Sequence, residues 1–146
     1  MSPDVKGSEP FTRQDNPVQV IIHDLTLAQM ATFETTPFEL VPAPGTGEFT
    51  KLLSIRSIYT EGSEAAEFGE DTFFNPIYAD DNPLEYGAPS EAVFDDTKIV
   101  DWGGYESLLP TTIVGQPVLL KATEGTLTAG NGTVRLIVRF VQHSIA

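Results

Sequence analysis

The sequence of 146 residues contains no cysteine. Disulfide frameworks, thiolate metal sites and cysteine nucleophiles are therefore excluded. Basic residues are scarce: 8 Lys and Arg stand against 21 Asp and Glu, a formal charge of −13. Duplex binding depends on basic side chains that neutralise phosphates, so this balance argues against a nucleic-acid partner. An anionic membrane surface is disfavoured for the same reason. Only 2 histidines are present; His23 and His143 both fall in strand-like stretches, where an ordinary strand role is expected. No apolar run approaches the ~20 residues of a membrane helix. Residues 1–10 lack a basic stretch followed by an apolar one, so no secretory signal is expected there.

Forty per cent of the residues are apolar, and a chain of this length can bury a single real core. Residues 1–17 carry Pro3, Pro10 and Pro17 without periodicity, which predicts either a disordered terminus or an extended arm, the latter with Phe11 available to anchor against a neighbouring subunit. Residues 18–146 are expected to form one β-sandwich domain. Val18–His23 is rich in β-branched residues and predicts the first strand. Leu27 and Met30 then adopt helical spacing within 25–33, with Asp24 or Thr26 as the cap. A short strand follows over 36–42, and Pro44-Gly45 suits a type II turn with Gly45 at positive φ. Residues 48–60 form the longest candidate strand, with apolar groups on both faces, which predicts a strand that bends or crosses between sheets. Further strands are expected near 72–78, 98–100, 116–123 and 133–143, with one helical turn over 104–109. Asn131-Gly132 reads as a type I′ hairpin. Many short strands at turn-punctuated spacing and one short helix predict an all-β fold, a jelly-roll-like β-sandwich of about eight strands.

Residues 61–97 stand apart. They hold Glu61, Glu64, Glu67, Glu70, Asp71, Asp80, Asp81, Glu85, Glu91, Asp95 and Asp96 and no Lys or Arg, with aromatic residues interleaved. This segment reads as an acidic looped insertion, and long loops within a domain are usually functional. Asp80-Asp81-Asn82 and Asp95-Asp96 carry the oxygen ligands that calcium takes, but the EF-hand pattern is absent and solvated loop charge is the expected role. No Gly-x-Ser-x-Gly elbow and no phosphate-binding glycine loop is present. Asn131-Gly132-Thr133 matches a glycosylation sequon that the turn explains better. Trp102, beside Gly103-Gly104, is a candidate for stacking on a sugar, but a lone tryptophan is more often a packing residue or an interface anchor. No enzyme activity, cofactor or metal is expected from these residues.

Two stretches carry a resemblance. The first runs from Leu25-Thr26 and Ala28-Gln29 through Thr35-Thr36-Pro37 to Val41-Pro42-Ala43-Pro44-Gly45. The second joins Gln116-Pro117-Val118 to Gly130-Asn131-Gly132-Thr133 and the strand after it. Together they resemble small tailed-bacteriophage virion structural proteins of the head decoration (cement) type. The resemblance implies an all-β domain, often a homotrimer, made in the host cytoplasm, that sits on the outer surface of the capsid and ties major capsid protein subunits together. An acidic surface suits a shell's exterior better than an interior packed with DNA. The expected capsid or subunit contacts are Pro10 and Phe11 in the arm and Phe73, Phe74, Tyr78, Tyr86 and Trp102 in the aromatic segments. The alternative is a tail- or fibre-associated β-sandwich module that binds a host glycan or protein through Trp102, Tyr86 or Tyr105.

Overall fold

The structure, a computed structural model, describes residues 17–68, 74–78, 97–102, 114–122 and 127–144. In chain order its elements are β1 (Gln19–Thr26), α1 (Leu27–Met30), β2 (Phe38–Val41), β3 (Glu48–Thr60), β4 (Glu67–Phe68), β5 (Phe74–Tyr78), β6 (Lys98–Asp101), β7 (Val118–Ala122), β8 (Leu127–Ala129) and β9 (Thr133–Ser144). Every strand pairing is antiparallel. One sheet has the order β1-β9-β3-β6 and a second the order β2-β7-β5, while β4 and β8 form a two-stranded ribbon. The all-β sandwich is thus the architecture. Jelly-roll connectivity is a finer statement than these sheets of four and three strands make.

Strict alternation drives β9. Val134, Leu136, Val138 and Phe140 are buried while Arg135 and Arg139 are exposed, the period-two pattern of a strand with one wet face. From the facing sheet, Leu40, Val41, Phe74, Tyr78, Val118 and Leu120 enter the same core. Each such side chain stabilises the fold by about 1.5–3 kcal/mol through burial. Leu27, Met30 and Phe33 complete the cluster from α1 and the turn after it. The helix is a single turn, too short to stand alone. Thr26 caps it: its Oγ1 accepts from Gln29 N at 3.1 Å, and Gln29 Oε1 accepts from Thr26 N at 2.8 Å. This reciprocal capping box replaces the alternative cap, Asp24, which is engaged elsewhere.

The longest strand does not cross between sheets. It pairs with β9 from Glu48↔Ser144 to Thr60↔Thr133, with one register shift between Leu52 and Ser54. Leu53 is the extra residue, a β-bulge. Before it the buried positions are Thr50 and Leu52; after it they are Ile55, Ser57 and Tyr59. A one-residue insertion reverses the facing of everything beyond it. The two apolar faces read from the sequence are therefore one inner face with its parity switched at Leu53.

Polar contacts join the layers. His23 Nε2 donates to Leu40 O at 2.8 Å, tying β1 to β2, and its ring meets Phe38 edge-on at 4.8 Å. The Tyr78 hydroxyl donates to Thr50 O at 2.8 Å. Burial pushes the Tyr78 phenol up from 10.0 to about 12. A raised pKa favours the neutral form in the fold, so its contribution is complete below pH 10.0 and is lost as the pH rises toward about 12. Tyr78→Phe is therefore expected to lower stability at neutral pH by about 1 kcal/mol and to flatten the alkaline fall. Denaturation midpoints measured from pH 7 to 11 check both; an alkaline fall as steep as in the wild type contradicts the assignment.

Two turns differ from expectation. Gly47, not Gly45, has positive φ (75°), and Glu48 N donates to Gly45 O at 3.0 Å. The turn therefore spans 45–48, two residues later than the Pro-Gly pair suggested. Nor do Asn131 and Gly132 form a hairpin tip. The strand before them, β8, pairs with β4, and β9 pairs with β1 and β3. Asn131 is a clamp instead: its Oδ1 accepts from Glu64 N at 2.9 Å and its Nδ2 donates to Ser63 Oγ at 2.8 Å. Within the acidic segment 61–97, β5 supplies Phe74 and Tyr78 to the core, so this part is framework rather than loop. The helical turn expected at 104–109 lies outside the described residues.

Candidate interaction surface

The outer face of the four-stranded sheet is the most distinctive surface among the described residues. Strand register arranges it as three rows. Val20 lies beside Arg139 and Ser54; Ile22 beside Ile137, Arg56 and Asp101; Asp24 beside Arg135, Ile58 and Ile99. The rows exist because side chains alternate across a strand, so the positions that miss the core on all four strands share one plane.

The face combines exposed aliphatics with arginines. Val20 and Ile22 are each 53% exposed and Ile99 62%. Arg56, Arg135 and Arg139 are the arginines of the described residues, and all three stand here. Two are held in forked pairs with directly opposite carboxylates. Arg135 Nε and Nη2 donate to Asp24 at 2.7 and 3.2 Å; Arg56 Nε and Nη2 donate to Asp101 at 2.6 and 3.0 Å. The hydrogen bonds from these guanidiniums hold both carboxyls below their ordinary value of 3.8 and raise the arginines in turn. A lowered carboxylate pKa contributes stability above the unfolded value, lost only as the pH falls through the lowered one. Both pairs are exposed, so their weight in stability is small. Their effect is to set guanidinium orientation across the face. Arg139 has no carboxylate partner among the described residues. With Lys51, exposed farther along β3, the described residues of the face hold four cations against two carboxylates, a local positive surface on a chain of charge −13.

The aromatic contacts expected from the sequence are corrected where they are described. Phe74 is 1% exposed, Tyr78 0% and Trp102 5%. They are core residues, not interface residues. The parity of β5 turns Phe74 and Tyr78 inward, and the Trp102 indole Nε1 donates to buried Ser57 Oγ at 3.1 Å. Trp102 thus presents no ring to a sugar. Pro10, Phe11, Phe73, Tyr86 and Tyr105 lie outside the described residues, as do Asp80, Asp81, Asp95 and Asp96. Among the described residues no group of three or more His, Asp or Glu is placed to hold a metal ion. Neither histidine departs from a strand role: His143 stacks on Phe49 at 5.4 Å.

Sequence reasoning missed this face. The alternation of Arg135, Ile137 and Arg139 was visible, but the register that sets Ile22 beside Ile137, and Arg56 beside Asp101, was not. No protein-family model matches the chain, and neither a curated protein nor a solved structure matches it.

Proposed function

We propose that the protein is a bacteriophage capsid decoration (cement) protein that binds the outside of the assembled head and bridges major capsid protein subunits. The observation that carries a binding role is the outer face of the four-stranded sheet, where exposed Val20 lies beside Arg139 and exposed Ile22 and Ile99 stand in the next two rows. Arginine beside apolar contact area is the composition of protein–protein interfaces. The capsid as partner rests on the resemblance of the two motif-bearing stretches. In this reading the sheet face meets the shell and the strongly acidic remainder of the chain is directed to solvent. The glycan-binding alternative loses its tryptophan, because Trp102 is packed in the core.

Arg139→Glu reverses an exposed charge on the face without touching the core. The wild type is expected to co-sediment with expanded heads, and this variant to bind about tenfold more weakly or worse. Wild-type protein that stays in the supernatant, or a variant that pellets as fully as the wild type, refutes the reading.

A further inference from the structure

The free edge of β1 offers a second kind of contact, independent of the capsid reading. Among the described residues, β1 is the terminal strand of its sheet and pairs with β9 alone. In an antiparallel ladder, opposed residues alternate between exchanging both backbone hydrogen bonds and exchanging none. Leu27 N donates to Gly132 O at 3.3 Å, continuing the Thr26↔Thr133 register by one residue. Odd-numbered residues of β1 therefore turn their backbone groups to β9, and even-numbered ones turn theirs to the open side. Thr26 agrees with this, since its N–H is taken by the Gln29 side chain. Val20, Ile22 and Asp24 are left with N–H and C=O groups facing outward.

Natural edge strands are protected by proline, lysine, bulges or shortness. Over its 8 residues, β1 has neither proline nor lysine, and its register with β9 is unbroken. Its outward side chains Val20 and Ile22 are half exposed and β-branched, well suited to a pairing strand. We infer that this edge pairs with the same edge of a second copy, antiparallel, about a two-fold axis at Ile22. In that register Ile22 faces the partner's Ile22, and Val20 faces the partner's Asp24; all three open residues exchange backbone bonds with open residues. The Ile137–Ile22 row becomes one apolar band through the axis. Charge is complementary as well: the partner's Asp24 is brought to the Val20–Arg139 row, and Arg139 has no carboxylate among the described residues of its own chain.

The absence of cysteine makes the test direct. Opposed residues of a hydrogen-bonded antiparallel pair lie about 5.5 Å apart between Cα atoms, within disulfide range. Ile22→Cys in the full chain is expected to oxidise to a covalent dimer, whereas Ile99→Cys on β6, still more exposed, is expected to stay largely uncross-linked. Sedimentation of the wild type over a concentration series is expected to show a species of twice 15.9 kDa. Ile22→Lys, on an exposed position, is expected to raise the dissociation constant about tenfold or more, with unchanged circular dichroism. If that variant is poorly folded, Val20→Lys provides the same reading. A wild type that stays monomeric, a threefold assembly, or a dimer insensitive to both lysines overturns the inference. Loss of capsid binding with the dimer intact bears only on the function proposed above.

Discussion

Trp102→Ala is expected to lower the stability of the fold by about 3–5 kcal/mol, the range for removing a buried large aromatic. Trp102 follows β6, is 5% exposed and is the sole tryptophan. Its backbone N–H donates to Ile55 O at 2.9 Å and its indole to Ser57 Oγ at 3.1 Å, so it fastens the end of the short strand β6 to β3. Truncation would leave a cavity and would strip buried Ser57 of its donor. The Ser57 hydroxyl would keep only a long contact to Val100 O at 3.4 Å. Chemical denaturation followed by circular dichroism gives the magnitude. A loss under about 1 kcal/mol would mean that the indole is a surface group and would restore it as a candidate ligand contact.

Gly132→Ala is expected to cost more than Gly47→Ala, although only Gly47 has positive φ. A Cβ at Gly132 would stand 2.6 Å from Tyr59 Cε1 and 2.7 Å from Thr60 O. Tyr59 is fully buried and Thr60 O is backbone in the central strand β3, so neither yields cheaply. Overpacking of this kind costs about 1–3 kcal/mol or more. At Gly47 the space is open within 4 Å and φ is +75°, so alanine there carries only the left-handed penalty of about 1–2 kcal/mol. Side-by-side denaturant midpoints decide the order; Gly47→Ala as the more damaging change would mean that the approach of Gly132 to Tyr59 is looser than described.

Glycine 132 also shows how far local sequence rules reach. Asn-Gly is a strong signal for a hairpin turn, yet here Asn131 clamps the 62–64 segment and Gly132 admits Tyr59. Both residues serve contacts with chain more than sixty positions away, and nothing local records them. The same limit governs the aromatic residues. Phe74 and Tyr78 sit in the acidic segment and look like contact residues by composition; which face of β5 points inward is settled by its pairing with β7. For Trp102, too, the neighbouring glycines could not decide between packing, an interface anchor and a sugar contact.

Sequence alone determined the all-β class, the strand character of β1, β3, β7 and β9, a short capped helix after β1 with Asp24 or Thr26 as its cap, the core face of β9, and the scarcity of positive charge. These follow from short-range periodicity and side-chain chemistry, which a linear chain displays directly. Tertiary structure alone decided three things. Leu53 became a bulge because both halves of β3 must bury apolar groups against one sheet. The described arginines came to share one face because register aligns β3, β6 and β9 across it. And β1 was left with an open edge, because the order of strands in a sheet depends on pairings between distant segments. A chain of charge −13 thereby carries a small positive and aliphatic face, which composition averages away.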